Sequence, residues 1–198
     1  MNIIQTTLAT VAHFSDDHKK RYLLRKLWNE KLPSLAVIML APSEASGIEL
    51  DMTTQLVVNN TTRLGYGSVT IVNLFATLDD FGLRRAEDED PENMEAILLA
   101  AKSADQIIYA PGTGKLKNRA FLQRQEQVLN ALIPYEAKLC CLCNESGHAR
   151  LQHPLSPKVR EWHLSPLKIS ELIDIPASEA STQKKKSKPK APKTDESK

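Results

Sequence analysis

The sequence predicts an α/β protein: a three-layer sandwich around a mainly parallel four-stranded sheet, with an N-terminal hairpin. Two observations predict this fold. Apolar runs without polar alternation recur along the chain, as in strands that are buried on both faces. Segments with helical spacing of apolar residues separate these runs, and alternating strands and helices indicate parallel strands joined by right-handed crossovers.

The predicted elements begin or end at residues that break their pattern. Pro42 and Ser43 follow the first apolar run and Gly65 closes the first helix, because proline interrupts strands and glycine ends helices. The N-terminal hairpin pairs residues 8–14 with residues 22–28, although the second segment reads equally well as a short helix. The predicted strands are residues 35–40, 69–75, 106–110 and 137–143, and the predicted helices are residues 53–64, 91–101, 119–133 and a short 166–173.

The length of 198 residues fits one domain, which we place at residues 1–175, followed by a disordered lysine-rich tail at residues 176–198. Residues 184–198 contain seven lysines and two acidic residues, and such a segment has too little apolar surface to fold. The tail has two interpretations: a flexible arm attracted to phosphates, or a solubilising extension. The formal net charge of +2 does not by itself indicate a nucleic-acid-binding protein.

The sequence predicts a cytoplasmic protein with no membrane partner. No segment has the apolar length of a membrane span or the pattern of an export signal. Cys140, Cys141 and Cys143 lie together in an apolar run, and an odd, clustered set of cysteines is a poor disulfide framework. A reducing compartment is therefore expected.

The candidate site lies where the predicted parallel strands end, because open α/β sheets bind ligands outside the carboxyl ends of their strands. Small, polar or proline residues stand at each of these ends, and a carboxylate lies in a nearby loop. The candidates are Pro42, Ser43, Asn73, Phe75, Gly112 and Gly114 for substrate binding, and Asp51 and His153 for catalysis.

Two of these residues have a structural interpretation beside the functional one. Asn73 interrupts an apolar strand, where its amide either recognises a polar ligand or caps a local turn. His153 either donates a hydrogen bond to a developing anion or is a structural histidine.

Two further motifs suggest ligands. The turn at residues 111–115 lacks the spacing of a Walker loop, although its backbone amides could hold a phosphate. Cys140 and Cys143 could form a zinc site with His148 and His153, but in a strand the two cysteines point to opposite faces. The sequence therefore predicts no metal and no cofactor.

The motifs also occur together in a characteristic order. They are Arg21-Tyr22 with Trp28, residues 38–43, Asp51-Met52-Thr53, Gly65-Tyr66-Gly67, residues 72–76, residues 111–114 with Asn118-Arg119, and His153-Pro154-Leu155. In this order they resemble an uncharacterised bacterial and phage family, domain-of-unknown-function family 1643, from about residue 14 to residue 157. The chain departs from the family pattern at Ala41, where an asparagine is usual, and at Met52, where a proline is usual.

The order of the loops is also similar to that in the uracil-DNA glycosylase superfamily. Ala41-Pro42-Ser43, Asn73 and residues 153–156 correspond to its water-positioning loop, a strand-closing asparagine and a final His-Pro-Ser-like loop. The resemblance implies a glycosylase-like fold and hydrolysis of an N-glycosidic bond after a base is flipped from the stack. Asn73 would read the base edge, His153 would stabilise the departing base, and Asp51 would supply the carboxylate.

Three functions remain open at this point. The first is a protein that recognises DNA bases or nucleotides and hydrolyses the N-glycosidic bond if it is active. The second is a non-catalytic binding or interaction protein of a phage or mobile element, which the apolar side chain of Ala41 favours. The third is a nucleotide hydrolase, for which magnesium-dependent turnover of free nucleotides is expected.

Overall fold

A seven-stranded mixed sheet with helices packed against it forms the framework of the computed structural model. The structure describes residues 1–43, 47–78, 90–113, 119–147 and 150–173. The predicted tail at residues 176–198 lies outside the described residues, and so does Gly114. Within the described ranges, no helix has the length and apolarity that crossing a membrane requires.

The described part of the chain contains seven strands and four α-helices. The strands are β1 (Ala9–Phe14), β2 (Arg21–Leu27), β3 (Ser34–Met39), β4 (Ser68–Asn73), β5 (Gln106–Tyr109), β6 (Leu139–Cys143) and β7 (His163–Pro166). The helices are α1 (Met52–Arg63), α2 (Pro91–Ser103), α3 (Arg119–Leu132) and α4 (Ser170–Ile173), with short 3₁₀ helices at Ile133–Lys138 and Pro157–Val159. The observed bounds lie close to those predicted for the elements from β3 to β6.

The strand order is β1-β2-β4-β3-β5-β6-β7. The strands β4, β3, β5 and β6 are parallel neighbours. The pairs β1–β2, β2–β4 and β6–β7 are antiparallel. The predicted mainly parallel sheet of four strands is therefore wrong as a description of the whole sheet, which has seven strands and as many antiparallel pairs as parallel ones.

Both ends of the sheet account for this difference. The N-terminal hairpin forms as predicted, and its second segment is a strand rather than a helix. It does not stand apart, because Leu24 of β2 pairs with Ile71 of β4 and so joins the main sheet. At the other edge, β7 has only four residues and ends at Pro166, so it lacks the apolar run by which buried strands are recognised.

Two hydrophobic cores lie on opposite faces of the sheet. Alternate residues of β3 divide between them, with Ala36 and Ile38 in the first core and Val37 and Met39 in the second, as the two-residue period of a strand requires. The first core contains apolar side chains of α2, α3 and α4. The second contains Val57 of α1 together with Val159 and Trp162, which precede β7. The predicted arrangement of helices on both faces is thus confirmed.

The antiparallel direction of β2 decides what its first residues can reach. Because β2 runs opposite to β4, its amino end lies beside the carboxyl end of β4. The backbone N–H of Arg21 donates to the carbonyl of Ala76, just beyond β4, at 2.8 Å. The hairpin therefore brings a buried arginine to the edge at which the parallel strands end.

Candidate functional site

The predicted site residues lie along one edge of the sheet. Asn73 ends β4 beside Met39, the last residue of β3, in parallel register. Gly112 follows β5, which is parallel to β3 on its other side. Backbone pairing continues past the strand ends, since the N–H of Phe75 donates to the carbonyl of Leu40 at 3.0 Å. The loops after β3, β4 and β5 are thereby held next to one another.

Asp51 begins the helix that crosses from this edge over the second core. Its Oδ1 accepts a hydrogen bond from the N–H of Thr54 at 2.6 Å, so it is the N-cap of α1. The partly unsatisfied N–H groups of a first helical turn attract a negative charge. The carboxylate is therefore held at the sheet edge by the helix that it caps.

Hydrogen bonds and a cation keep Asp51 ionised. Burial raises the pKa of Asp51, but the hydroxyl of Ser43, the amide and hydroxyl of Thr54 and the charge of Arg21 outweigh it, so the pKa lies below its ordinary value. The Oδ1 of Asp51 accepts from Thr54, whereas its buried Oδ2 has no partner with hydrogen-bond geometry among the described residues. Asp51 is thus a carboxylate with one oxygen engaged and one oxygen open.

Arg21 lies beneath the loop after β3. Its side chain is 1% exposed, and Nη1 donates to the carbonyl of Ser43 at 3.0 Å. Burial lowers the pKa of Arg21 to about 10 against the opposing effect of Asp51, so the guanidinium stays charged at neutral pH. Arg21, Ser43 and Asp51 form one electrostatic cluster.

His153 joins this cluster from the far end of the sequence. Burial lowers the pKa of His153, while the nearby charge of Asp51 acts in the opposite direction. Its Nδ1 accepts a hydrogen bond from the backbone N–H of Leu155 at 3.2 Å. An accepting Nδ1 carries no proton, so the neutral ring carries its proton on Nε2, which is a donor.

Gly112 makes the approach of His153 possible. Gly112 has a φ of +82°, and a Cβ built on it would lie 3.1 Å from the Cβ of His153. A larger residue would therefore meet the histidine loop, besides being strained in a left-handed conformation. The predicted role of Gly112 as a site residue is structural here: it lets the loop after β6 lie against the end of β5.

The remaining predicted residues are buried around this cluster. Asn73 is 1% exposed, and its Nδ2 is buried without a hydrogen-bond partner among the described residues. Pro42 is buried, and Phe75 packs in the first core. With strands spaced about 4.8 Å apart, Asn73 lies two strands from β5, on the order of 10 Å from the histidine loop. Asn73 and His153 thus border the same edge of the sheet, separated by roughly two strand spacings.

The turn at residues 111–115 and the cysteine–histidine motif are only partly within the described residues. Gly112 and Thr113 are described, whereas Gly114 and Lys115 lie outside the described residues. The three cysteines are buried free thiols. Cys140 belongs to the second core and Cys141 to the first, so neighbouring cysteines face opposite sides of the sheet, and His148 lies outside the described residues.

Two open clefts lie away from the Asp51–His153 pair. One, of about 540 Å³, borders the segment after β6 and is lined in part by Lys158 and His163. The other, of about 740 Å³, lies between the hairpin and α2 and is lined in part by Tyr22 and Glu92. The linings of these two clefts do not include Asp51 or His153, and the candidate site is identified by the chemistry at the sheet edge.

Sequence reasoning missed two residues of this region. Arg21 was recognised only as part of a family motif, and Lys26 was not singled out. Both are 1% exposed, and basic residues are almost never fully buried unless they are paired. The strand β2 contains three basic residues, of which Arg21 and Lys26 are buried and Arg25 is exposed. The sequence pattern alone does not show which of the three are buried.

The fold and the site define an α/β protein with a carboxylate–histidine cluster at the carboxyl edge of its parallel strands. Over residues 21–155, the chain matches the model of a family described as a protein of unknown function, DUF1643. This match covers more than half of the chain, which therefore belongs to that family. No curated protein and no solved structure matches the chain.

Proposed function

We propose that the carboxyl edge of the sheet binds a nucleobase within DNA or a nucleotide, and that Asp51 and His153 hydrolyse its N-glycosidic bond. One observation carries the proposal: a carboxylate held ionised lies in electrostatic range of a histidine held neutral. Groups whose environments separate their charge states in this way are suited to different roles in one reaction. Loop order similar to that of the uracil-DNA glycosylase superfamily adds support for the substrate.

The reaction assigns a role to each group. As the bond between the sugar carbon and the base nitrogen breaks, its electron pair moves to the base and positive charge develops on the sugar. The Nε2–H of His153 donates a hydrogen bond to the departing base, and the open oxygen of Asp51 faces the cationic sugar or accepts a proton from water. The water oxygen bonds to the sugar carbon, and its proton ends on the released base.

Asn73 is the proposed reader of the base. Its buried Nδ2 has no partner among the described residues, and leaving such a donor unsatisfied costs about 1–3 kcal/mol. A carbonyl oxygen on a base edge would satisfy it. A base in duplex DNA would have to be flipped out of the stack to reach this depth.

A base-excision assay tests the proposal. Purified protein is incubated with single- and double-stranded oligonucleotides that carry uracil or other altered bases, and abasic sites are cleaved with alkali and resolved on a gel. Removing a hydrogen-bond donor to a developing anion costs about 10²–10³-fold in rate, so His153→Ala should lose most of the cleavage. Asn73→Ala and Asp51→Asn should also lose it, whereas His163→Ala, which alters an exposed histidine, should not. Absence of cleavage on every substrate, by protein shown to be folded, would contradict the proposal.

A second function is favoured by one observation. Leu40 and Ala41, at the end of β3, offer no polar side chain that could position a water molecule. A non-catalytic protein that binds bases or nucleotides would need Asn73 but not a water-positioning group. Such a protein would bind labelled oligonucleotides in a fluorescence anisotropy titration, with binding weakened by Asn73→Ala, and would leave them uncleaved.

A further inference from the structure

Strand β2 carries two basic side chains that are buried almost completely. Arg21 and Lys26 are each 1% exposed, whereas Arg25 between them is exposed. Burying a charged group is costly unless it is paired or hydrogen-bonded. The hydrogen-bond partners of Arg21 and Lys26 therefore indicate why two charged side chains are buried here.

The contacts of both side chains reach the connection between β3 and α1. Nη1 of Arg21 donates to the carbonyl of Ser43 at 3.0 Å. Nζ of Lys26 donates to the carbonyl of Gly47 and, at 2.9 Å, to Oγ1 of Thr10 on β1. Ser43 and Gly47 stand on either side of residues 44–46, which lie outside the described part of the chain.

We propose that Arg21 and Lys26 are positioning residues, which fasten the chain at Ser43 and Gly47 and so set where Asp51 stands relative to His153. The consequence of this positioning for catalysis rests on the proposed function, whereas the positioning of Asp51 itself does not depend on that function.

The anchoring strand is well suited to this role. β2 is hydrogen-bonded on both sides, to β1 and to β4, so its side chains start from a rigid backbone. Asp51 follows Gly47 by four residues, and its position is fixed from the other side by the hydrogen bond from Thr54. Catalytic groups must be held within about 0.5 Å of their productive positions, which a loop held at a single end does not provide.

The electrostatics of the cluster agree with this geometry. Burial lowers the pKa of Lys26, and so does the charge of Arg21, so the two cations repel each other. The charge of Asp51 acts on Arg21 in the opposite direction and raises its pKa. The carboxylate that the two side chains position is therefore attracted to Arg21, and the hydrogen bonds that Arg21 and Lys26 donate are charge-assisted and stronger than those of neutral donors.

The titration of His153, followed by NMR, tests the placement without any assumption about activity. The chain has five histidines, and His153→Ala identifies the relevant signal. Asp51→Asn removes the charge that raises the pKa of His153, so it should lower that pKa and mark the effect of a lost carboxylate. Lys26→Met keeps an unbranched side chain one atom shorter and loses the hydrogen bonds. It should lower the pKa of His153 in the same direction, because it releases Gly47 and moves Asp51 away.

The sign of the shift separates this mechanism from a simple charge effect. Removing a positive charge near His153 would raise its pKa, whereas displacing Asp51 lowers it. Arg25→Met, which removes an exposed cation from the same strand, is the matched control and should leave the titration unchanged. Lys26→Gln is shorter and retains an uncharged N–H donor group, so it should fall between Lys26→Met and the unmodified protein.

The outcomes decide between the alternatives. A Lys26→Met protein with an unchanged or raised pKa of His153 would overturn the proposal, and so would an Asp51→Asn protein in which that pKa does not fall. Where Lys26→Met does not fold, Lys26→Gln is judged by the same criterion. Loss of base excision in Lys26→Met, at unchanged substrate affinity, would extend the result to catalysis. If the unmodified protein excises no base, the proposed function fails while the titration still decides the placement.

Discussion

The substitution Gly112→Ala separates backbone strain from the placement of His153, because Gly65 provides a control with the same strain. Gly112 has a φ of +82° and Gly65, just after α1, has a φ of +84°. An alanine in the left-handed region costs roughly 1–2 kcal/mol. Both substitutions should therefore lower the free energy of unfolding by a similar amount, about 1–2 kcal/mol, through strain alone.

The surroundings of the two glycines differ. A Cβ on Gly112 would lie 3.1 Å from the Cβ and 3.7 Å from the N of His153, whereas a Cβ on Gly65 would meet no atom within 4 Å. Since ordinary van der Waals contacts between carbon atoms begin at about 3.5 Å, Gly112→Ala has to displace the histidine loop by a few tenths of an ångström. Gly112→Ala should therefore change the titration of His153, and Gly65→Ala should not.

Two measurements on each variant test this reasoning. Thermal unfolding gives the shared cost, for which a domain of this size loses roughly 2–4 °C in Tm per kcal/mol. The NMR titration of His153 and the base-excision rate report the local displacement. If Gly65→Ala disturbed His153 as much as Gly112→Ala did, or if Gly112→Ala left His153 unchanged, the inferred contact would be wrong.

Three further predictions concern stability. Asp51→Ala should cost about 1 kcal/mol through loss of the α1 cap, whereas Asp51→Asn, which still caps, should keep the stability measured by urea unfolding. Because burial lowers the pKa of His153, the unfolded chain binds more protons than the folded protein as the pH falls below 6.5. Stability should therefore decrease with falling pH through the folded pKa of His153, and the corresponding slope should be absent in His153→Asn. Asn60 bridges α1 to the segment before β7, since its Oδ1 accepts from the N–H of Trp162 at 3.2 Å; Asn60→Ala should cost about 1–3 kcal/mol in urea, and the exposed neighbour Asn59→Ala should cost much less.

The four parallel strands were predictable because they are buried on both faces. A short, continuous apolar run such as residues 35–40 is typical of a fully buried strand, and observed strands such as Ser34–Met39 match these runs closely. The parallel direction of these strands also predicted the edge of the sheet at which the site lies, because ligands bind outside the carboxyl ends of parallel strands. The number of strands was not predictable in the same way, because β7 has the short, mixed pattern of His163 to Pro166 and is recognised only through its pairing with β6.

The sequence predicted which residues belong to the candidate site, but it did not predict which of them are in contact. Asp51 and His153 were named from the sequence, but their proximity depends on tertiary packing over about half of the chain. The role of Gly112 in admitting His153 depends on a close approach between two loops, which no spacing reveals. Arg21 was missed because a basic residue at the start of a strand usually lies in solvent, and only the antiparallel pairing of β2 buries it at the site.

The extent of the family match bears on which parts of the molecule form the site. The matched region begins at Arg21 and ends at Leu155. Arg21 contacts the loop after β3 through Ser43, and the N–H of Leu155 donates to His153, so the two ends of the matched region meet at the same cluster. The strand β1, the strand β7 and the helix α4 lie outside it. These three elements extend or cover the sheet, whereas β2 belongs to the site because it brings a buried cation to the carboxyl edge.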